Sequence, residues 1–312
     1  MDWAVLLMAY GGPDSLDDIR PYLLDVRGGR ETPEALVEEI RERYALIGGK
    51  SPLLEITNAQ ARALEEELNR DSEGDTYRAF VGMRHWRPYI RETVAEIARA
   101  GLRNVVAICM APYYSKMSIG AYQQKLNDAL AEHPGEWNVR MVGAWNDHPL
   151  FITSVAEKVR AGLEQFARAE REDVNVIFTA HSLPAAIMQQ GDPYAKQFEQ
   201  TVGLVAAASG LKNGMWHTAY QSAGAAATKW LGPTLDETVE RLAEAGTRKI
   251  LVAPIGFVAD HVEILFDIDI ETKEEAEKLG VHLERTISPN DSPSFIRALA
   301  AIVQEKVSQP TQ

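Results

Sequence analysis

Four groups of residues in this 312-residue chain have the types and spacing to do chemistry. His181 ends the run Val176-Ile177-Phe178-Thr179-Ala180, an uncharged, largely β-branched stretch that reads as a buried strand. A neutral imidazole at a strand end can ligate a metal or accept a proton near neutral pH. Taken alone, such a histidine is more often a surface or satisfied core residue. Glu263, Asp267 and Glu271 are spaced i, i+4, i+8, which lines three carboxylates along one face of an α-helix. Isoleucine, leucine and phenylalanine occupy the other face, as if the segment were packed into the fold. Like charges at this spacing repel, and two readings stay open: a solvated acidic stripe, or a relay of oxygen ligands that hands a divalent cation inward or protons outward.

The third group is basic and hydroxylic: Arg27 before Gly28-Gly29, Arg43 and Ser51 bracketing a glycine-containing stretch with Tyr44, and Tyr122. Arginine recognises carboxylates through paired hydrogen bonds, and glycines let backbone approach a ligand closely. Without context, most such arginines lie on the surface in i, i+4 pairs. The fourth group is Tyr10-Gly11-Gly12, directly after an apolar run. Its two glycines are too few for a dinucleotide fingerprint, which needs G-x-G-x-x-G opening a helix. Ser182 has no G-x-S-x-G elbow around it, so a hydrolase nucleophile is not supported.

Composition narrows the field further. With 32 Lys and Arg against 45 Asp and Glu, the net charge of −13 argues against a nucleic-acid binder, which needs a basic face. A single cysteine, Cys109, excludes an intramolecular disulfide, a Cys-based zinc site and a four-cysteine iron–sulfur cluster. No apolar run approaches the roughly 18–20 residues that span a bilayer, and the N-terminus lacks the basic region of a signal peptide. A cytoplasmic protein, acting as a monomer without a stable membrane anchor, is expected.

The elements that must position these residues repeat within the chain. Glu92-Thr93-Val94, Ala98, Gly101 and Arg103 recur at identical spacing as Glu237-Thr238-Val239, Ala243, Gly246 and Arg248. Asp147-His148-Pro149 and Phe151-Ile152 are echoed by Asp291-Ser292-Pro293 and Phe295-Ile296, and the Tyr10 segment corresponds to the His181 segment. Correspondences in the same chain order indicate an internal duplication. Strands are expected at 4–8, 77–81, 105–109 and 139–142, and again at 175–179, 215–219, 250–253 and 281–284. Helices alternate with them, which implies an α/β protein of two similar Rossmann-like domains, each with a four-stranded parallel sheet flanked by helices. Domains are expected at 1–145 and 146–290, with the C-terminal helix 291–308 free to pack back on the first. Ligands bind at the carboxyl ends of strands in such sheets. Tyr10 and His181 both follow the first strand of their half, and domains facing one another would set them across one cleft.

These segments resemble the ferrochelatase family, which inserts ferrous iron into a porphyrin. The resemblance runs from Leu6 to Ile268 and is most specific in Thr179-Ala180-His181-Ser182-Leu183-Pro184 with Gly191-Asp192-Pro193-Tyr194. Two further blocks agree: Tyr220-Gln221-Ser222 with Lys229-Trp230-Leu231-Gly232-Pro233, and Pro254 through Asp260-His261-Val262-Glu263. The resemblance implies a porphyrin cleft enclosed by the two domains. It makes His181 and Glu263 the catalytic pair, and His181, Glu263, Asp267 and Glu271 the metal-handling set, which makes the solvated stripe the weaker reading. Tyr10, Arg27, Arg43, Tyr44, Ser51 and Tyr122 become the porphyrin-binding set, with Tyr10 beneath the macrocycle. That set is similar to the members that act on coproporphyrin III, which carries four propionates, rather than protoporphyrin IX, which carries two. Arg84-His85 stands where relatives often have Lys-His, and Gly11-Gly12 replaces the commoner Gly-Thr. The expected partners are coproporphyrin III, Fe2+ as substrate and a downstream haem-pathway enzyme, with no resident cofactor. A protoporphyrin IX enzyme and a non-catalytic haem or metal carrier are the alternatives.

Overall fold

The computed structural model describes residues 1–70, 72, 74–224 and 228–309. The chain divides into two compact units, the first formed by residues 1–145 and 290–312 and the second by residues 146–289.

In the first unit, β1 (Asp2–Ala9), β2 (Thr76–Met83), β3 (Asn104–Cys109) and β4 (Asn138–Met141) form an all-parallel sheet in the order β2-β1-β3-β4. Its helices are α1 (Ile19–Val26), α2 (Glu34–Leu46), α3 (Leu53–Arg70), α4 (Ile90–Arg99) and α5 (Ile119–Ala131). In the second unit, β5 (Asn175–His181), β6 (Trp216–Gln221), β7 (Lys249–Ala253) and β8 (His282–Arg285) form a parallel sheet in the matching order β6-β5-β7-β8. There the helices are α6 (Pro149–Leu163), α7 (Tyr194–Ser209), α8 (Leu235–Glu244), α9 (Val262–Leu265) and α10 (Lys273–Lys278). The last helix, α11 (Pro293–Ser308), belongs to the first unit, where it packs on α3 and β3.

Each central strand is apolar along its length because helices cover both faces of the sheet, so there is no solvent side to favour alternation. Residues 3–9 of β1 and 176–180 of β5 are all buried. One face of the first sheet packs Leu6, Val105 and Ala107 against Val94 and Ile97 of α4 and Ile119 and Leu126 of α5. The corresponding layer of the second unit packs Ile177, Ile250 and Val252 against Val239 and Leu242 of α8 and against Ile264 and Ile268.

The sequence repeat has a physical content. At the start of α4 the Tyr89 N–H donates to the Glu92 carboxylate at 2.8 Å, and at the start of α8 the Thr234 N–H donates to Glu237 at 2.9 Å. Each glutamate thus satisfies a helix-start amide that has no intrahelical partner. Thr93 and Thr238 each donate back to the carbonyl four residues earlier. After each helix a glycine takes a left-handed φ, +76° at Gly101 and +94° at Gly246. Arg103 and Arg248 then donate to the carbonyls of Ala98 and Ala243, which closes the two helix ends in the same manner. Among the described residues, no helix is long and apolar enough to cross a membrane.

Candidate active site

In the second unit, β5 carries His181 to its carboxyl end, where the side chain is about a third exposed, 31%. Three contacts hold it there. The Tyr194 hydroxyl donates to the His181 carbonyl at 2.9 Å, the ring Nδ1 bonds the Ser182 carbonyl, and the Phe257 ring lies edge-on with centroids 6.5 Å apart. With Nδ1 donating to that carbonyl, Nε2 is the nitrogen turned to Glu263, 3.5 Å from its Oε1. His261 Nε2 lies at the same distance from Glu263 Oε2, so the carboxylate sits between two imidazoles. Its backbone is fixed as well, because Gln221 at the end of β6 donates to the Glu263 carbonyl at 2.7 Å. The same glutamine accepts from Thr179 on β5, tying the strand that carries His181 to the segment that carries Glu263.

Close approach of the chain after β7 to the end of β5 requires Gly256. A Cβ there would come within 2.7 Å of the Ala180 backbone. Ser182, adjacent to the histidine, is committed to structure: its hydroxyl donates to the Leu231 carbonyl at 2.8 Å.

The electrostatics of the pair follow from its surroundings. Burial disfavours the imidazolium of His181, but the Glu263 carboxylate outweighs it and raises the pKa above the ordinary value. Burial likewise opposes the charge on Glu263, yet His181 and then His261 hold its pKa well below the ordinary carboxylate value. Each charged form thus favours the other, an imidazolium beside a carboxylate.

The acidic segment departs from the helix its spacing suggests. It is not one α-helix: after α9 it passes through a π-helical turn, Asp267–Thr272, and resumes as α10. The Glu271 N–H reaches back five residues to the Phe266 carbonyl at 3.0 Å. This wider turn breaks the strict four-residue alignment of the three carboxylates, and such turns recur at functional sites. Asp267 accepts from the Ser222 hydroxyl at 2.5 Å, and Glu271 is exposed. The apolar residues between them do pack inward, with Ile264 and Ile268 fully buried. Among the described residues, no group of three or more His, Cys, Asp and Glu side chains is gathered to hold a metal ion. His181, Glu263, Asp267 and Glu271 thus form a pair followed by two separate carboxylates, rather than one ligand shell.

In the first unit, Tyr10 follows β1 and is 41% exposed. The chain after β2 pairs with the chain after β1 through the Arg84 N–H to the Ala9 carbonyl and the His85 N–H to the Tyr10 carbonyl, each at 2.9 Å. These bonds set His85 beside Tyr10, the rings tilted by 53° with centroids 4.7 Å apart. His85 also bonds Asp25 through Nδ1 at 2.7 Å, and burial lowers its pKa despite that carboxylate. Arg84 places its guanidinium over the rings of both Tyr10 and Tyr122, 5.9 and 5.5 Å from their centroids. Tyr122 is buried on α5, which raises its hydroxyl pKa well above the usual value. Ser51 and Tyr44 are also buried. Ser51 crowds Gly12, where a Cβ would meet its side chain at 2.5 Å, while the Tyr44 hydroxyl would be in ordinary contact at 3.6 Å. The second glycine of Gly11-Gly12 is therefore a packing requirement.

The two arginines differ. Arg27 follows α1, and its buried Nε has no hydrogen-bond partner among the described residues. Arg43, on α2, donates to Glu39 one turn earlier at 2.8 Å. Sequence reasoning gave no role to Asp25 or Gln221 and treated Arg84-His85 only as a departure from a pattern. Arg84-His85 follows β2 as Tyr10 follows β1 and His181 ends β5, so the strand-end argument reaches it. No local pattern joins Asp25 to a histidine so far along the chain.

The family model described as Ferrochelatase matches residues 2–307. A curated relative from Deinococcus radiodurans, named "Ferrochelatase", is 46% identical over 305 residues, covering 98% of this chain and 96% of that protein. One from Geobacillus kaustophilus, named "Coproporphyrin III ferrochelatase", is 39% identical over 303 residues, covering 97% of this chain and 95% of its own. Among solved structures, "SirB from Bacillus subtilis with Fe3+" shares the fold with a TM-score of 0.60 at 12% identity, covering 99% of this chain and 96% of that one.

Proposed function

Given that this chain belongs to the ferrochelatase family, with porphyrin and ferrous iron as its substrates, we propose that its porphyrin is coproporphyrin III. The observation that carries this reading is the buried Nε of Arg27, a donor atom with no hydrogen-bond partner among the described residues. Leaving such a donor unpaired is costly, and a propionate carboxylate would satisfy it with a charge-assisted bond. Ser51 and Tyr122 offer further hydroxyls for propionates, and Arg43 could do so by exchanging its Glu39 partner. Coproporphyrin III presents four carboxylates to such a set, whereas protoporphyrin IX presents two. Several curated relatives at 35–39% identity bear the coproporphyrin III name and support the same choice.

The reaction requires two pyrrole N–H protons to leave the ring as iron enters. A planar macrocycle offers its lone pairs poorly to an approaching cation, so contacts around its periphery would offset the cost of binding it bent. We assign proton acceptance to the His181–Glu263 pair. With His181 neutral, its Nε2 takes one pyrrole proton, the resulting imidazolium being stabilised by Glu263, and it releases that proton toward solvent before taking the second. Asp267 and Glu271, further along the same segment, draw the hydrated cation inward or carry protons away. Carboxylate and imidazole donors outside a closed shell suit a cation that must be released to the ring. Tyr10 is assigned to contact the macrocycle and to coordinate iron in the product.

The deciding experiment is anaerobic Fe2+ insertion into coproporphyrin III and protoporphyrin IX in parallel, followed by the Soret band. Preferential turnover of coproporphyrin III is expected, with Arg27→Ala weakening its binding. Preference for protoporphyrin IX overturns the substrate assignment, and stable haem binding without turnover of either favours a carrier.

A further inference from the structure

The segment bearing Glu263, Asp267 and Glu271 also holds Asp260 and Asp269, giving five carboxylates within a dozen residues. That density of like charge would push the segment apart unless part of it were neutralised. One side chain does so. Arg285, at the carboxyl end of β8, is 12% exposed and forms a fork with Asp269, Nε to Oδ1 at 2.7 Å and Nη2 to Oδ2 at 2.8 Å. Its Nη1 donates to Asp260 Oδ1 at 3.2 Å and to the Thr286 carbonyl at 2.9 Å. Asp260 also accepts from the Ser288 hydroxyl at 2.7 Å.

The two carboxylates held by Arg285 are interleaved with the functional ones. Asp260 immediately precedes His261, which contacts Glu263, and Asp269 lies in the π turn between Asp267 and Glu271. We propose that Arg285 is a positioning residue for the iron substrate. By neutralising Asp260 and Asp269 and binding them to the end of β8, it holds the π turn open and fixes the positions from which Glu263, Asp267 and Glu271 meet Fe2+. Guanidinium suits this task because its planar fork bonds one carboxylate at two points and still reaches the second; an ammonium cannot.

The inference rests on the reading that iron reaches the ring by way of this segment, so its test reads metal binding separately from turnover. Fe2+ affinity is measured anaerobically by calorimetry on the full chain, with insertion kinetics and porphyrin affinity alongside. Arg285→Gln is expected to weaken Fe2+ binding and raise the KM for Fe2+ about tenfold or more, the range seen when groups orienting metal ligands are removed. The kcat and the porphyrin Kd stay at the wild-type values. Arg285→Lys, which keeps the charge without the fork, falls between. Asp269→Asn keeps shape and volume, so it reports even if Arg285→Gln does not fold, and it changes the same quantities in the same direction. Unchanged Fe2+ affinity in the soluble variants overturns the proposal, as does a parallel fall in porphyrin affinity and kcat, which marks a merely structural role. A wild type that binds Fe2+ but inserts none overturns the proposed function while the comparison of affinities still decides the role of Arg285.

Discussion

His181 and Glu263 form a pair in which each group shifts the titration of the other, and the direction of those shifts dictates how the protein responds to pH. The imidazole is raised above its ordinary value of 6.5 by the carboxylate, against the effect of burial. Its proton-accepting form is therefore populated at a higher pH than for a free histidine. We expect kcat/KM to rise with pH through a midpoint above 6.5, and the ring to titrate there by NMR. Glu263→Gln should bring the NMR midpoint down, and an unmoved midpoint would remove Glu263 as the cause. His181→Ala should abolish insertion while leaving porphyrin affinity near wild type; equal loss of both would refute its role as acceptor. The same shifts bear on stability. A raised histidine pKa stabilises the fold fully below pH 6.5, and that contribution is lost as pH rises through the folded value. The depressed pKa of Glu263 acts in the opposite sense, stabilising the fold above its ordinary 4.5 and lost as pH falls through the folded value.

Elements rather than single side chains explain why these groups meet. The end of β5 is held by the chain after β7, which approaches closely at Gly256. Gly256→Ala would drive a Cβ into the backbone of Ala180, one residue before His181. A loss of roughly 1–3 kcal/mol is expected, the usual cost of overpacking. Thermal unfolding measures it, and a fall in kcat larger than the stability loss explains would show the histidine displaced. Much at this scale was legible in the sequence. The strand-end positions of Tyr10 and His181 followed from apolar runs too continuous for a half-exposed sheet. The duplication followed from the matched Glu92 and Glu237 with Arg103 and Arg248; that these residues close the two helix ends in the same way is what the structure adds. The π turn was not legible. The i, i+4, i+8 spacing of the carboxylates fits a regular helix, and it takes Ser222 on Asp267 and Arg285 on Asp269 to show how the wider turn is occupied.

For the molecule as a whole, the chain repeats its topology and then returns to the first unit with α11. That helix buries Phe295, Leu299 and Val303 completely, and Phe295 sits beside Trp145 with ring centroids 6.1 Å apart. Arg140 of β4 caps its end by donating to the carbonyls of Lys306, Val307 and Gln309. Phe295→Ala should therefore destabilise the first unit by about 3–5 kcal/mol. Denaturant unfolding would report it, and an unchanged midpoint would mean that α11 contributes little. By itself the sequence determined the fold class, the strands and the internal repeat, because periodicity and repeated spacing depend on neighbours within a few positions. It also singled out His181, Glu263 and the acidic run as residue types with chemistry. Only the tertiary structure decided which of them touch. The Asp25–His85 bond, the seating of Ser51 against Gly12 and the grip of Arg285 on two carboxylates arise from packing and join residues far apart in the chain. Such contacts depend on distances set by the whole core, which no local pattern encodes.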